Sequence, residues 1–408
     1  MIRDEREELP FPVTGAELLL GGKCFDEPSE DIIFISPSVR RERECVKRLF
    51  LRGAVACSDM ELFFSEKPEN VFAVTGSDGK STTSALIGRI FSTSGKEAYV
   101  CGNFGLPLSP LSEKRGAYFV TELSSFMLRY AKPRSRRALI TNITPNHLNW
   151  HKDFEEYKES KKNVLKNGQE RVFSFDCQNS RELINEFGAY ALFSVSTPFR
   201  ELKKEIKAEV YCTLENGVLL KNGEPVIERE KIPLVGIHNV KNALAAICMT
   251  DGFCSVADLR CALSSFTGLE HRCKTVYEKD GVRYYDSSID SSPERTRATL
   301  AAFDRPVTVI LGGKDKGLDY APLAEALPCC AVAVILCGEN AERLAEFISE
   351  KRIPCPVFFA DNYIEAVTVA RSIGCDTVLS PASTSFDRFS NFEERGREFL
   401  KSILEVYK

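Results

Sequence analysis

Short apolar runs alternate with longer amphipathic stretches along most of the chain. Several of these runs contain hardly any polar position, which is typical of strands that are covered on both faces of a sheet. Strands are predicted over residues 31–35, 71–75, 117–121, 138–142, 171–175, 306–311, 332–337 and 377–380. Helices are predicted between them, over residues 81–94, 154–167, 239–250, 293–303, 341–351 and 363–373. Because strands that alternate with helices form βαβ units, the pattern predicts an α/β fold with mostly parallel sheets.

One segment departs from this alternation and predicts a small antiparallel meander. It contains three short strand candidates, at 209–213, 217–220 and 225–228. Asn-Gly pairs stand between them, at 216–217 and 222–223. Asn-Gly readily adopts the backbone conformations of tight hairpin turns, so these strands are expected to pair with their neighbours in sequence.

The length of 408 residues indicates two or three domains, at roughly 150 residues per domain. Hydrophobic residues make up 43% and charged residues 27%, which is globular composition and excludes a disordered or fibrous chain. A polar stretch that contains Pro68 ends a first unit, and a second unit ends near Gly268. The predicted units are therefore 1–69, 70–268 and 269–408.

The charge balance excludes a broad surface for nucleic acid. Lys and Arg number 54 against 58 Asp and Glu, and the net charge is −4. An anionic ligand must therefore be held by a local site. There are 15 cysteines and four histidines, but no Cys-x-x-Cys, so the spacing of zinc ligands is missing from the sequence.

The start of the chain and its apolar runs favour a cytoplasmic protein. The first residues are charged, and they are not followed by the apolar core of a secretory signal. No apolar run reaches the ~18 residues that a membrane helix needs. The cysteines are then expected to be reduced thiols. Whether Met1 is the true start stays open.

The strand at 71–75 leads into a candidate phosphate loop, Gly76-Ser77-Asp78-Gly79-Lys80-Ser81-Thr82-Thr83, and then into a helix. Glycines allow backbone N–H groups to face an anion, and the helix N-terminus adds positive potential. Lys80 would reach the terminal phosphates and Ser81 would hold magnesium. Val74 stands where the strict motif has its first glycine. The alternative is an ordinary surface turn, but the flanking strand and helix favour nucleotide binding.

Two neighbouring strands also end in chemically useful side chains. Glu122 follows the strand at 117–121, and His147 follows the strand at 138–142. Ligands of parallel sheets bind beyond the carboxyl ends of strands, and carboxylates suit magnesium. The alternatives are a carboxylate in the first turn of a helix for Glu122 and a loop histidine that caps backbone for His147. Their shared position beside the phosphate loop favours function.

Asn239 and Asn242 lie three residues apart at a predicted helix start, so they share a face. Their amides could bind an adenine edge, and the alternative is N-capping by Asn239 with Asn242 on the surface. Three further loops, at 285–288, 312–317 and 380–387, follow strands in the last third of the chain. A ligand cleft between the second and third units is therefore expected.

Together these segments resemble the Mur ligase family, and in particular its D-glutamate-adding members. The resemblance runs from about residue 15 to the end of the chain. It rests on the ordered motifs at 75–82, 122–126, 142–148, 238–246, 271–272, 312–317, 380–382, 385–387 and 391–396. The family implies a truncated Rossmann-like N-terminal domain, a central P-loop ATPase domain with a mostly parallel sheet, and a C-terminal Rossmann-like domain.

The resemblance also implies a reaction and its small-molecule substrates. ATP would phosphorylate the carboxylate of a UDP-sugar-linked alanine, and the amine of D-glutamate would attack the acyl phosphate to form an amide. This step belongs to peptidoglycan precursor synthesis. ATP and Mg²⁺ are implied, whereas a protein partner, a nucleic acid or a membrane is not.

The family's functional residues carry over to matching positions of this sequence. Residues implied to bind ATP are Gly76, Ser77, Asp78, Gly79, Lys80, Ser81, Thr82, Asn239, Asn242, Arg272 and Asp286. Residues implied to bind metal are Ser81, Glu122, His147 and, if carbamylated, Lys161. Lys80, His147 and Lys161 are implied to be catalytic. Residues implied to contact the substrates are Asn103, Lys316, Ser385 and Phe392.

Three departures from the family pattern leave alternatives open. Only 75 residues precede Gly76, so the part of the family that holds the uridine nucleotide is expected to be shortened. The usual Asp-Ser-Lys reads Asp286-Ser287-Ser288, and residues 149–151 read Asn-Trp-His where Asp-Arg is usual. The chain could therefore be a divergent ligase for another acid, or a non-catalytic ATP-binding paralogue. Catalysis is favoured because the whole set of phosphate-loop and metal residues is present.

Overall fold

The structure is a computed structural model, which describes residues 2–4, 15, 17–21, 31–66 and 68–408. Within this part, parallel pairing dominates every sheet except for a meander and one edge strand, so the predicted α/β class is confirmed. Of the predicted first unit, 1–69, the residues 1, 5–14, 16, 22–30 and 67 lie outside the described part. The domain boundaries at 69 and 268 stay predictions.

The N-terminal part contains two short pairs of parallel strands. The elements are β1 (Ile2–Asp4), β2 (Leu18–Leu20), β3 (Ile32–Phe34), α1 (Glu44–Leu51), β4 (Val55–Cys57) and α2 (Asp59–Ser65). β1 pairs with β2, and β3 pairs with β4 across the helix α1. The α2 helix buries Phe63, whose ring lies edge-on to Phe119 at 5.1 Å. This contact fixes α2 on the core of the following sheet.

A nine-stranded sheet forms the centre of the described structure. Its strands are β5 (Asn70–Thr75), β6 (Ala98–Gly102), β7 (Tyr118–Glu122), β8 (Arg134–Ile140), β9 (Asn167–Ser174), β10 (Ala191–Ser194), β11 (Val210–Glu215), β12 (Val218–Lys221) and β13 (Glu224–Glu228). The spatial order is β13-β12-β11-β10-β9-β8-β5-β7-β6. β5 therefore lies between β7 and β8, and all three run parallel. The predicted meander is confirmed as the antiparallel strands β11, β12 and β13.

Helices cover both faces of this sheet. They are α3 (Lys80–Thr93), α4 (Ser125–Leu128), α5 (Phe154–Lys166), α6 (Gln178–Phe187), α7 (Phe199–Glu205), α8 (Ile237–Thr250) and α9 (Val256–Ser265), with 3₁₀ turns at Ser109–Leu111 and Arg229–Lys231. Strand side chains alternate between the faces. Phe72 and Val74 of β5 enter the core beneath α3 and α8, whereas Val71 and Ala73 enter the core on the α5 side.

A six-stranded sheet follows in the C-terminal part, in the order β14-β15-β19-β16-β17-β18. Its strands are β14 (Lys274–Lys279), β15 (Val282–Asp286), β16 (Val307–Leu311), β17 (Ala331–Leu336), β18 (Val357–Phe359) and β19 (Thr377–Leu379). Its helices are α10 (Pro293–Leu300), α11 (Ala321–Cys330), α12 (Ala341–Glu350), α13 (Tyr363–Ile373) and α14 (Phe392–Val406). Only β14 pairs antiparallel within this sheet, and β15, β19 and β16 are neighbours. The three loops predicted to carry chemistry therefore leave adjacent strands.

Several predicted elements need correction. The strand predicted at 138–142 runs from Arg134 to Ile140, so Asn142 lies beyond its end. The strand predicted at 171–175 begins at Asn167. The strands β6, β10 and β18 were not predicted, because periodicity does not distinguish such short runs from buried helix segments. No helix in the described ranges is long and apolar enough to span a membrane.

Arg137 connects the central sheet to the helix α8 behind it. The side chain is 3% exposed, and its Nη1 donates to the carbonyl oxygens of Cys248, Met249 and Asp251 at 3.2, 3.1 and 2.6 Å. Its Nε donates to Glu170 at 2.5 Å. The backbone carbonyl groups at the C-terminal end of α8 have no partners within the helix, and the guanidinium of Arg137 donates hydrogen bonds to them.

Replacing Arg137 with Met should lower the free energy of unfolding by about 3 kcal/mol, because buried acceptors and Glu170 lose their donor. Urea unfolding followed by circular dichroism measures this change. The matched control is Arg136→Met, since Arg136 is exposed and lies 4.9 Å from the Phe253 ring. That substitution should cost less than about 1 kcal/mol. Equal effects of the two substitutions would contradict this role of Arg137.

Candidate active site

The phosphate loop leaves β5 at Thr75 and enters α3 at Lys80. Gly79 is the N-cap of α3 and has a left-handed φ of 78°. A Cβ atom at this position would overlap Oδ1 of Asn242 on α8. Glycine is therefore required here both by the backbone conformation and by the close approach of α8. The strand, loop and helix agree with the architecture predicted for the phosphate loop.

Residues that follow β8 brace this loop from the side. The side chain of Asn142 accepts from the Asp78 N–H at 2.9 Å and donates to the Asp78 carbonyl at 3.2 Å. The Thr141 hydroxyl donates to the same carbonyl at 2.7 Å. Ser77 Oγ lies 2.9 Å from the Tyr157 hydroxyl. Sequence reasoning missed Thr141, Asn142 and Tyr157 as site residues, although the position of the first two after a strand beside β5 was a usable signal.

Two lysines donate to the backbone of this loop. Lys80 Nζ donates to the Ser77 carbonyl at 2.8 Å, and Lys161 Nζ donates to the Gly76 carbonyl at 2.6 Å. Lys161 is 1% exposed. Burial lowers the pKa of Lys80, and burial together with the nearby Lys80 charge lowers the pKa of Lys161 well below its ordinary value. The structure thus singles out Lys161 from the lysines of α5, which the sequence did not.

Glu122 is the last residue of β7 and is buried. Its Oε1 accepts a hydrogen bond from Asn103 Nδ2 at 2.7 Å, whereas its Oε2 has no hydrogen-bond partner among the described residues. The alternative of a carboxylate in the first turn of a helix is wrong, because α4 begins only at Ser125. An unpartnered buried carboxylate oxygen is costly unless a cation binds it. Glu122 therefore fits a metal ligand.

His147 lies on the loop after β8 with a left-handed φ of 55°. Its ring is 5.0 Å from the ring of Phe126. The pKa of His147 is lowered, first by desolvation and then by the charges of Lys80 and Lys161. His147 is therefore within electrostatic reach of both lysines.

A metal ion at this site would need ligands from outside the protein. The described residues contain no group of three His, Cys, Asp or Glu side chains that could hold one alone. Magnesium prefers one or two carboxylates together with phosphate and water oxygens. Glu122 and Ser81, beside a phosphate-binding loop, fit that preference.

Asn239 and Asn242 share one face of α8, as predicted. Asn242 is buried, its Nδ2 donates to Asn239 Oδ1 at 3.0 Å, and its Oδ1 accepts from Thr83 at 3.2 Å. The N-capping alternative is wrong, because the N-cap of α8 is Gly236 and Asn239 donates instead to the Val235 carbonyl. Hydrogen bonds therefore hold Asn239 and Asn242 beside the phosphate-loop segment, and Asn242 is not a surface residue.

The segment between the two large sheets carries His271 and Arg272. His271 Nδ1 lies 2.7 Å from Asp286 Oδ2, and this contact raises the pKa of His271. Asp286 Oδ1 accepts from the Ser288 N–H at 2.9 Å, so both carboxylate oxygens have partners within the protein. The positive charge of Arg272 contributes to lowering the pKa of Lys80. Arg272 therefore belongs to the same electrostatic cluster as the phosphate loop.

The residues predicted to hold the amino acid lie on loops of the C-terminal sheet. Ser385 is buried, the Phe392 ring lies 5.9 Å from His271, and Lys316 Nζ lies 5.4 Å from the Phe386 ring. No hydrogen bond or ion pair of the described residues joins Lys316 or Ser385 to the Lys80 cluster. The predicted residues thus form two groups, one around the phosphate loop and one on the loops of the C-terminal sheet. The segment with His271 and Arg272 lies between these groups.

Two residues at positions that depart from the family pattern, Ser288 and His151, form contacts within the protein. Ser288 Oγ donates to the Phe392 carbonyl at 2.8 Å and accepts from Arg395 Nε at 2.9 Å. Burial lowers the pKa of His151 to about 4, and its Nε2 lies 2.9 Å from Ser125 Oγ. Both substituted positions are thus integrated into the described structure.

Comparison with curated proteins shows extensive similarity to one group of enzymes. The chain is 38% identical over 407 residues to the UDP-N-acetylmuramoylalanine–D-glutamate ligase of Clostridium novyi (strain NT), covering 96% of this chain and 87% of that protein. It is 38% identical over 403 residues to the ligase of the same name from Clostridium kluyveri, covering 96% and 86%. The family model of the Mur ligase middle domain matches residues 74–250.

Solved structures share the fold at lower identity. The UDP-N-acetylmuramate–alanine ligase MurC from Thermotoga maritima superposes with a TM-score of 0.61 at 19% identity, covering 97% of this chain and 90% of that one. MurF from Acinetobacter baumannii superposes with a TM-score of 0.57 at 16% identity, covering 84% and 79%. The predicted Mur ligase fold is confirmed, and the chain belongs to the Mur ligase family.

Proposed function

We propose that this protein is an ATP-dependent amide ligase that adds D-glutamate to UDP-N-acetylmuramoyl-L-alanine in peptidoglycan precursor synthesis. The observation that carries the proposal is a cluster of charged side chains from separate elements around one phosphate loop. Lys80 and Lys161 donate to backbone carbonyls of this loop, the negative charge of Glu122 attracts both lysines, and their positive charges help to lower the pKa of His147. The names of the relatives at 38% identity support the choice of substrates. We place the reaction in the cytoplasm, with no protein partner required.

The cluster suits the activation of a carboxylic acid. A free carboxylate is a poor electrophile, and transfer of the terminal phosphoryl group of ATP gives it a leaving group. Gly76 to Thr82 would surround the phosphates of ATP, and Lys80 would neutralise charge that develops on the transferring group. Mg²⁺ held by Ser81 and Glu122 would supply further charge neutralisation. Asn239, Asn242 and Asp286 complete the proposed nucleotide site.

The amino acid would enter from the C-terminal sheet. Lys316, Ser385 and Phe392 are proposed to hold D-glutamate, so that its amine reaches the acyl phosphate and displaces phosphate. Asn103 is proposed to contact the UDP-linked substrate, next to its hydrogen bond with Glu122. Because the two groups lie on different sheets, binding of both substrates is expected to draw these sheets together.

Lys161 is proposed to carry a carbamate in the active protein. Its lowered pKa favours the neutral amine, whose nitrogen forms a bond to the carbon of CO₂ and releases one proton. The product replaces a buried neutral amine with an anion close to Glu122 and His147, where all three could serve the metal. His147 would then act in catalysis through the metal site.

Phosphate release from ATP should require UDP-N-acetylmuramoyl-L-alanine and D-glutamate together, because the acyl phosphate is discharged by the amine. A coupled phosphate assay with each substrate alone and with both measures this dependence. Release with D-glutamate and a different acid would identify a divergent ligase. ATP binding without turnover on any tested acid would identify a non-catalytic paralogue, and either result would contradict the proposed reaction.

Lys80→Ala should slow turnover at least ~100-fold, because a donor to the transferring phosphoryl group is lost. Steady-state phosphate release with saturating substrates measures the effect. Lys166→Ala is the matched control, since Lys166 is an exposed lysine at the end of α5. If Lys80→Ala turned over at the rate of this control, Lys80 would not take part in phosphoryl transfer.

Carbamylation should be visible without any turnover. Protein equilibrated with ¹³C-bicarbonate should show a carbamate carbon signal by NMR that disappears in Lys161→Ala and persists in Lys166→Ala. A neutral amine forms the adduct and burial protects it from solvent, and Lys161 is 1% exposed. A signal that survives in Lys161→Ala would assign the adduct to another amine.

A further inference from the structure

The two loops that carry two of the proposed amino-acid-binding residues, 312–317 and 380–387, are joined to each other. An antiparallel bridge pairs Lys314 with Thr384, and the Lys314 N–H donates to the Thr384 carbonyl at 2.8 Å. A Cβ atom at Gly313 would overlap the same carbonyl oxygen, so only glycine allows the loops to approach this closely. The conformation of each loop therefore depends on the position of the other.

Asn340, the N-cap residue of α12, connects both loops to this helix. Its side chain is buried and forms no capping hydrogen bond with its own helix. Its Oδ1 accepts from the Gly313 N–H at 2.9 Å, and its Nδ2 donates to the Tyr320 hydroxyl and to Ser383 Oγ, at 2.8 Å each. The amide oxygen and both N–H donors thus hold segments outside the helix, which fixes the start of α12 against the two loops.

Arg343, in the first turn of α12, also contacts the loop 312–317. Its Nη1 donates to Asp315 Oδ1 at 2.5 Å, and its Nη2 donates to the Leu318 carbonyl at 3.1 Å. The guanidinium carbon lies 4.9 Å from the centre of the Tyr320 ring, which is a cation–π distance. Because a guanidinium is planar, these three contacts hold it in one orientation and make it a fixed partner of the Asp315 carboxylate.

Asp315 precedes Lys316 and shapes the turn that presents it. Asp315 Oδ1 also accepts from the Gly317 N–H at 2.9 Å, and Gly317 has a left-handed φ of 64°. Lys316 is exposed at the centre of this turn, and its side chain forms no hydrogen bond or ion pair with the described residues. Lys314 differs, because its Nζ donates to both carboxylate oxygens of Glu339, at 2.9 and 2.7 Å. Lys316 is therefore the lysine of this loop that retains its donors for a ligand.

The Asp315 carboxylate would compete with a carboxylate of the substrate if Arg343 did not neutralise it. An aspartate without a partner would attract the flexible side chain of Lys316, its neighbour in sequence. Its negative charge would also repel an anionic ligand that approaches the loop. The ion pair between Arg343 and Asp315 offsets both effects, and it keeps the turn around Lys316 closed.

We propose that Arg343 is a positioning residue for the dicarboxylic amino acid, because it pairs with Asp315 and thereby leaves Lys316 free to bind a carboxylate of that substrate. Arg343 does not itself contact the substrate, since its two terminal nitrogens are engaged by Asp315 and Leu318. The inference rests on the proposed function and extends it to a residue that lies outside all of the sequence motifs.

Steady-state kinetics of the full-length protein with ATP, UDP-N-acetylmuramoyl-L-alanine and D-glutamate test this inference. Arg343→Gln should raise the KM for D-glutamate about 10-fold, because Asp315 then competes for Lys316. The kcat and the KM for ATP should change by less than about twofold, since the phosphate loop leaves the other large sheet. Arg297→Gln is the matched control and should behave like the wild type. Arg297 is 45% exposed, against 41% for Arg343, and pairs with Glu294 on α10 at 3.0 Å.

A second substitution separates the loss of charge neutralisation from a general disruption of the loop. In Asp315→Asn, the side-chain oxygen can still accept from the Gly317 N–H, but the negative charge is absent. Arg343→Gln in this background should therefore change the KM for D-glutamate by less than about twofold. Arg343→Lys alone should raise this KM about threefold, because a lysine keeps the charge but cannot hold Asp315 and Leu318 together.

An unchanged KM for D-glutamate in Arg343→Gln, or an equal rise in the Asp315→Asn background, would overturn this inference and leave the proposed reaction in place. If Arg343→Gln does not fold, as judged by its thermal midpoint, a wild-type KM in Arg343→Lys would overturn it instead. Wild-type turnover only with a different amino acid would refute the proposed function, and the same KM comparison with that amino acid would still test Arg343. No wild-type turnover with any amino acid would refute both.

Discussion

The parallel pairing of β5 with β7 on one side and β8 on the other is the constraint on which the site depends. Val74 pairs with Glu122, and Thr75 pairs with Ile140, so the phosphate loop, the buried carboxylate and the bracing residues leave the sheet side by side. A shift of one residue in either register would turn Glu122 or Thr141 to the opposite face. The site is therefore built into the core of the protein, because the same apolar strand residues that pack under the helices also fix this register.

The second determinant is a balance of buried charge. Lys161 and Lys80 are held near each other by backbone carbonyls of the phosphate loop, and burial disfavours the protonated form of both. Glu122 attracts both lysines, yet one of its oxygens has no hydrogen-bond partner in the described structure. Such an arrangement is costly for the protein by itself, and the proposed metal and triphosphate would offset this cost. This imbalance distinguishes the site from the structural pair of Arg137 and Glu170, where the donors and acceptors match.

Some residues of the candidate site could be predicted from the sequence, and others could not. Lys80 and Glu122 were found because each follows an apolar strand, and parallel strands present their ends on one edge. Tyr157 was missed as a site residue because its role depends on a side-chain contact between α5 and the phosphate loop that no spacing reveals, whereas the position of Asn142 after β8 was a usable signal. Lys161 could be named only by resemblance, since several lysines share α5 and burial separates them only in three dimensions.

The loop after His147 connects this chemistry to the N-terminal part. Trp150, the single tryptophan of the chain, donates through Nε1 to the Ser38 carbonyl at 2.7 Å, and Arg40 donates back to the Trp150 carbonyl at 2.6 Å. Arg40 also pairs with Glu156 on α5 at 3.1 Å, one turn and a residue before Lys161. The ring centroids of Trp150 and Phe126 lie 4.5 Å apart with the rings tilted, and Phe126 in turn contacts His147. Trp150, in the segment 149–151 that departs from the family pattern, therefore joins segment 38–40 to the same loop that carries His147, so the position of that loop depends on packing against the N-terminal part as well as on the central sheet.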